Sequence, residues 1–206
     1  MKSGKTLFSL TILIALFFAG CNLSIYNWND DDAIKGDGHV VDDEREAVDF
    51  NGVVLTGVGN VIINLSDEYR VVVTTDSNIQ ELIFVDVKNN LLNISNKSNT
   101  SIRATELTIN VYLPKLEIIR VSGVGNIEIS DGSAPELKIE LSGVGNINAQ
   151  NYNVENITIT HSGVGNAKVW AVNSLRGTLS GVGNILYKGN PTINVRRIGV
   201  GVIKRL

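Results

Sequence analysis

The sequence Ser-Gly-Val-Gly-Asn occurs at residues 122–126, 142–146, 162–166 and 180–184, and this repeat decides the predicted fold. Gly-Val-Gly-Asn also stands at 57–60, and Gly199-Val200-Gly201-Val202 is a degenerate last copy. The first glycines of the four serine-preceded copies lie 20, 20 and 18 residues apart. A unit of this length is too short for a propeller blade, but it fits one coil of a β-solenoid.

Between the copies, apolar residues recur at every second position, as in residues 137–141 and 156–160. This alternation is typical of strands with one buried face. Each repeat then contains a strand, a glycine corner, a second strand and a turn. We therefore predict an all-β chain that forms a right-handed single-stranded parallel β-helix, or solenoid, with about 18–20 residues per coil.

The repeat is regular only in the second half of the chain. Residues 47–121 hold a single copy, at 57–60, although β-branched and alternating segments continue through them. Terminal units of repeat proteins are commonly atypical. We expect a less regular N-terminal β section over residues 47–121 and regular coils with Ser-Gly-Val-Gly-Asn corners over residues 122–206.

The corner residues are the strongest candidates for a repeated structural role. Glycine tolerates positive φ and close backbone approach, and asparagine is the other residue that most readily adopts a left-handed conformation. Stacked asparagines can also hydrogen-bond to one another through their amides. The alternative is that the corners form a ligand-binding ridge. The predicted corner residues are Gly57, Gly59, Asn60, Gly123, Gly125, Asn126, Gly143, Gly145, Asn146, Gly163, Gly165, Asn166, Gly181, Gly183 and Asn184.

Residues 1–21 have the pattern of an export signal. Lys2 and Lys5 precede an apolar stretch over residues 7–18, and Ala19-Gly20 stands directly before Cys21, the single cysteine of the chain. The pattern resembles a bacterial lipobox, which implies acylation of the Cys21 thiol, cleavage before it and anchoring to the membrane by lipid. A cleaved signal with an incidental cysteine is the alternative. A membrane span is disfavoured because it needs roughly 20 apolar residues.

Negative charge is concentrated in the segment that directly follows this signal. Residues 22–49 carry nine acids and two bases, whereas residues 50–206 carry twelve acids and fourteen bases. The segment 22–46 is predicted to be an acidic flexible tether, which loosely resembles a surface-export tag of Bacteroidetes lipoproteins. The near-neutral body has no concentrated basic face, so nucleic acid is not expected as a partner.

Several of these features resemble the head GIN domain family of auto-transporter adhesins, which is frequent in Bacteroidetes lipoproteins. The resemblance covers roughly residues 47–202 and rests on Val48-Asp49-Phe50, on residues 113–118 before the first Ser-Gly-x-Gly, on the serial corners and on residues 187–191. The valine between the glycines is a departure, since family members more often carry a small residue there. The resemblance implies a β-helix, a secreted or surface location and an adhesive role.

The sequence offers little that is typical of catalysis. Enzymatic β-helices cluster acids with Arg or Lys on one face, whereas Glu128, Glu140, Lys138 and Arg176 are scattered among apolar residues. His161 has no second histidine beside it for a metal site. We predict no catalytic residues, no metal site and no cofactor.

The predicted function is that of an outer-membrane lipoprotein, with the cell surface as a candidate location, that is not an enzyme. Its membrane contact is the lipid on Cys21. Its body is expected to be adhesin-like and to bind a glycan, host or cell-surface partner. The alternatives are a periplasm-facing structural or regulatory protein with a protein partner and, less favoured, a polysaccharide-degrading enzyme.

Overall fold

The computed structural model describes residues 33–206, which belong to one compact unit, Asp32–Leu206. The described residues are all-β, as predicted, apart from a short 3-10 helix at Gln80–Leu82. The predicted export signal, Cys21 and the first part of the predicted tether lie outside the described residues.

Strands in the first half of the unit are short. They are β1 (Ile34–Lys35), β2 (Val40–Arg45), β3 (Gly52–Leu55), β4 (Asn60–Leu65), β5 (Arg70–Asp76), β6 (Ile83–Lys88), β7 (Leu91–Asn96), β8 (Ile102–Arg103) and β9 (Leu107–Leu113). The second half contains longer strands. They are β10 (Ile118–Val121), β11 (Ile127–Ile129), β12 (Gly132–Leu141), β13 (Ile147–His161), β14 (Ala167–Leu179), β15 (Ile185–Lys188), β16 (Thr192–Arg197) and β17 (Ile203–Arg205).

One large sheet contains 15 of these strands, and β1 and β8 form a separate parallel pair. Within the large sheet, hydrogen bonding connects the strands in the order β2-β5-β9-β4-β11-β13-β12-β10-β3-β7-β6. The long strands β13 and β14 pair along both of their halves, and β14 adds β15 and β16 to the sheet. The sheet therefore turns back on itself and is nearly closed around its core.

The prediction of a right-handed single-stranded parallel β-helix is wrong. The large sheet is mixed, because β2–β5, β5–β9 and β6–β7 are antiparallel pairs while the other pairs are parallel. The antiparallel pairs have two origins. The strands β6 and β7 are consecutive, and a short turn joins them. By contrast, β5 pairs with β2 and β9, which are not its neighbours in sequence, so packing around the common core selects these partners.

The β6–β7 hairpin illustrates this difference. Its turn consists of Asn89 and Asn90, whose φ values are 52° and 59°. Two successive residues with positive φ are characteristic of the type I′ turn that closes tight hairpins. The local chemistry of this dipeptide thus reverses the chain instead of continuing it around the core.

In the second half, equivalent positions of successive repeats lie side by side. Ile119 pairs in register with Val53 and Ile139, and Ile139 pairs with Ile159. All four side chains are fully buried. Alternation along each strand therefore directs one face of the sheet into a continuous apolar core.

The segment predicted as a flexible tether over residues 22–46 differs from the structure in its second part. Residues 34–35 and 40–45 are strands, and β2 is antiparallel to β5. The buried Asp76 at the end of β5 accepts hydrogen bonds from the backbone N–H groups of Gly38, at 2.8 Å, and Thr105, at 2.7 Å. The described part of this acidic segment, from residue 33 onward, is therefore part of the fold.

Candidate binding face

The repeated corners bring six valines into one line, which we call the valine row. Parallel β-bridges connect Val58, Val124, Val144, Val164, Val182 and Val200 in succession. The four central members are 50–52% exposed, and Val200 is 70% exposed. Each stands between two glycines, so no neighbouring side chain from its own corner covers it. The valine row is therefore an apolar stripe on the surface.

The glycines on either side permit this stacking. At Gly143 an added Cβ would lie 2.0 Å from the carbonyl oxygen of Gly123, and at Gly163 it would lie 2.1 Å from that of Gly143. The second glycine of each corner also has positive φ, with values of 152° at Gly145 and 139° at Gly165. Any side chain here would collide with the backbone of the preceding repeat.

The asparagines of the corners form a second line, the asparagine ladder, made of Asn60, Asn126, Asn146, Asn166 and Asn184. Each Nδ2 donates to the Oδ1 of the preceding member, at distances of 3.0, 2.9, 3.2 and 2.8 Å along the chain. Backbone N–H groups donate to the same oxygens. The first three members are exposed and the last two are half-buried.

A groove of about 450 Å³ runs beside the asparagine ladder. Its lining combines amide groups, one cation and aliphatic carbon, and consists of Asn146, Ile147, Asn148, Asn166, Lys168, Asn184 and Leu186. Asn148 and Lys168 are neighbours across β13 and β14, and Lys168 is the neighbour of Leu186 across β14 and β15. These strands hold the groove residues at fixed spacing.

His161, for which the sequence offers no second histidine to complete a metal site, lies in the core. Its side chain is fully buried, and its Nε2 lies 2.7 Å from the carbonyl oxygen of Gly165. The register places His161 between Leu141 and Leu179. The imidazole thus occupies a core position that is leucine in the neighbouring repeats. Its Nε2 forms a hydrogen bond with the backbone of its own corner. No group of His, Cys, Asp and Glu residues within 33–206 has the arrangement of a metal site.

Aromatic side chains do not form a stacking platform beside the ladder. Tyr152 is buried, and its hydroxyl donates to the carbonyl oxygen of Leu116 at 3.1 Å. Burial, aided by the charge of Glu117, raises the pKa of Tyr152 to about 12 despite that hydrogen bond. The ammonium of Lys188 lies 3.8 Å from the centre of the Trp170 ring and covers that face.

Three charged residues of strands β10 and β12 form ion pairs with one another. Lys138 Nζ lies 2.6 Å from Glu140 Oε1, and Arg120 Nε lies 2.8 Å from Glu140 Oε2. The hydrogen bond from Lys138, together with the charge of Arg120, lowers the pKa of Glu140 against the opposing effect of partial burial. A carboxylate stabilised in its ionised form is poorly suited to act as a general acid near neutral pH.

Residues 33–206 contain no helix with the length and apolar character of a membrane span.

Solved structures with a similar fold come from several bacteria. A crystal structure of a "putative adhesin" from Bacteroides fragilis is 25% identical, covers 84% of this chain and 100% of its own, and has a TM-score of 0.54. A "putative lipid binding protein" from Parabacteroides distasonis is 20% identical, with 84% and 99% coverage and a TM-score of 0.50. A "putative cell adhesion protein" from Clostridium sporogenes is also 20% identical, with 81% and 98% coverage and a TM-score of 0.50. The last two show similarity of fold only.

No curated protein matches the sequence. The family model described as "Putative auto-transporter adhesin, head GIN domain" matches residues 49–131 and 118–191, which together span most of the chain. The predicted resemblance is thereby confirmed, and the chain belongs to the head GIN domain family.

Proposed function

We propose that this protein is a lipid-anchored adhesin, displayed at the cell surface, that binds a partner on another surface through the valine row and the asparagine ladder. Membership of an adhesin family supports an adhesin-like surface or envelope protein. The lipid anchor is inferred from the lipobox pattern before Cys21. The partner class predicted from the sequence is a glycan or another cell-surface molecule.

The observation that carries the proposal is the exposure of the valine row. Four consecutive members are each about half exposed, although valine is among the residues most often buried. An apolar stripe beside a polar ladder is a combination found at interaction sites. Its regular spacing suits an extended partner better than a small substrate.

Enzymatic activity is not favoured by the same geometry. The candidate face carries amides, valines and one lysine in its groove, and no carboxylate lines that groove. General acid and base catalysis requires a titratable pair within reach of one bound substrate. We therefore assign the face to binding.

The proposal can be tested by measuring two properties of intact cells: whether the protein is exposed at their surface and whether it makes them adhere. Intact cells that express the full-length protein are treated with protease, and adhesion of untreated cells to epithelial cells and to immobilised glycans is counted. Surface display predicts loss of the protein on treatment, and an adhesin predicts adhesion above that of cells lacking the gene. Full protection from protease, or adhesion equal to that of the deletion strain, would overturn the proposal.

A matched pair of variants locates the adhesive face. Val144→Thr combined with Val164→Thr keeps side-chain shape while making the valine row polar, so adhesion should fall. Val172→Thr is the control, because Val172 is 40% exposed but lies outside the row. Equal adhesion of both variants would exclude the valine row.

A further inference from the structure

The asparagine ladder is polarised in its hydrogen bonding. The Oδ1 atoms of Asn60, Asn126, Asn146 and Asn166 each accept two hydrogen bonds, one from the backbone N–H and one from the Nδ2 of the next member. A carbonyl oxygen has two lone pairs, so these oxygens are saturated. The backbone donor also identifies which amide atom is the oxygen.

The nitrogen side of the same amides is not saturated. Each Nδ2 carries two N–H groups, and from Asn126 to Asn184 one of them donates to the preceding Oδ1. The second N–H has no acceptor within residues 33–206. The ladder therefore offers unused donors and almost no unused acceptors, and these donors recur at the strand spacing of about 4.8 Å.

The adjoining groove also offers mainly hydrogen-bond donors, so it too favours a ligand that accepts hydrogen bonds. Lys168 lines it between Asn148 and Leu186, and no carboxylate lines the groove itself. Beyond the groove, the same cross-strand row continues to Glu128 beside Asn148 and to Lys204 beside Leu186. Lys168 has no salt bridge within the described chain. An ammonium with three donors reinforces a row of amide donors and adds positive charge.

We infer that the asparagine ladder and its groove bind a linear acidic polysaccharide, whose carboxylates and hydroxyl oxygens accept hydrogen bonds from the free Nδ2 groups and from Lys168. This inference rests on the proposed adhesive function and names the ligand class. Neutral sugars recognised by stacking are disfavoured, because Tyr152 is buried, Tyr187 packs against the core and Lys188 lies over one face of the Trp170 ring.

The geometry also determines how the ligand lies. Donors repeat across the strands, so the polymer runs along the ladder, perpendicular to the strand direction. Each further sugar reaches a further Asn, and successive contacts on one ligand add avidity. Affinity is therefore expected to rise with chain length over the first few sugars and then to level off.

Polygalacturonate, a linear uronic-acid polymer, is a suitable probe for the full-length protein. Its methyl-esterified form is the matched control, since esterification removes the charge and retains the sugar backbone. Calorimetry should detect binding of polygalacturonate that weakens with added salt, and clearly weaker binding of the ester. A series of oligogalacturonates tests the length dependence.

Lys168→Gln tests the groove without changing the ladder. We expect about tenfold weaker binding of polygalacturonate, the loss of roughly one charge-assisted hydrogen bond. Lys97→Gln is the control, because Lys97 is exposed and lies outside the groove. Asn148→Ala should also weaken binding without altering the melting temperature.

The outcomes separate the two proposals. Equal binding of the acid and the ester, no binding of either, or equal effects of the Lys168 and Lys97 variants would overturn the acidic-polysaccharide inference. Cells could still adhere in those cases, and the adhesive function would stand. Failure of adhesion by surface-displayed protein would instead overturn the function itself.

Discussion

At the scale of single residues, the corner positions require glycine because the backbone of the preceding repeat lies so close, in addition to the positive φ of the corner. Gly145 has a φ of 152°, and an added Cβ would lie 1.7 Å from the carbonyl oxygen of Gly125. That oxygen is part of the backbone of the preceding repeat and has little freedom to move. Glycine is required here by both conformation and space.

Gly145→Ala is expected to destabilise the fold by about 2–5 kcal/mol, since the strain of a left-handed alanine adds to the displacement of a neighbouring strand. Gly38→Ala is a matched control, because Gly38 also has positive φ, 79°, but nothing lies within 4 Å of its added Cβ. Denaturant unfolding measures both. Similar losses would mean that conformation alone accounts for the glycine.

At the scale of elements, the asparagine ladder links one repeat to the next. Asn146→Ala removes the donor to Asn126 Oδ1 and the acceptor for two N–H groups of Asn166. We expect a loss of about 1–2 kcal/mol, because these groups are partly exposed and water replaces some of the bonds. Asn151→Ala, at an exposed position of the same strand β13, should be nearly neutral in chemical denaturation. An Asn146→Ala variant with an unchanged free energy of unfolding would argue against a stabilising role of the ladder.

Another element-scale link joins the acidic N-terminal segment to β5. Burial opposes ionisation of Asp76, but hydrogen bonds from the backbone and side chain of Thr105 and from the backbone of Gly38 outweigh it and lower the pKa of this carboxyl. A lowered pKa means that folding favours the carboxylate. The resulting stabilisation is therefore present above about pH 4 and is lost as the pH falls through the pKa of the folded state.

Hydrogen-exchange protection of the β1 and β2 amides should accordingly decrease between about pH 5 and pH 2.5. Asp76→Asn cannot ionise, so it should show low protection at both pH values. Amides in the parallel strands β12 and β13 are the internal reference. If protection of the β2 amides does not depend on pH or on this substitution, the Asp76 carboxylate does not hold the N-terminal segment to β5.

At the scale of the whole molecule, membrane attachment is proposed to depend on the lipid on Cys21 and not on the folded unit. Cys21→Ser should prevent lipid attachment and release the protein into the soluble fraction, because acyl chains supply the membrane affinity. The acidic segment that follows cannot replace them, since residues 22–49 hold nine acids and two bases. Fractionation with high-salt washing measures the release. A variant that remains with the membrane would contradict the lipoprotein proposal.

The mixed sheet shows where sequence patterns were insufficient. The Asn89-Asn90 turn was a readable hairpin signal, because two asparagines in succession tolerate positive φ. The pairing of β4 with β9 and of β9 with β5 had no comparable signal. Those partners are distant in sequence and share no repeated motif, so only packing around a common core selects them.

The sequence by itself determined the family and the all-β class, because repeated identical residues at a nearly constant spacing restrict which backbone can accommodate them. Only the tertiary structure decided that the sheet is mixed, that His161 lies in the core and that the ladder presents donors. These properties depend on strand partners and directions, which arise from contacts between distant residues and leave no local pattern to read.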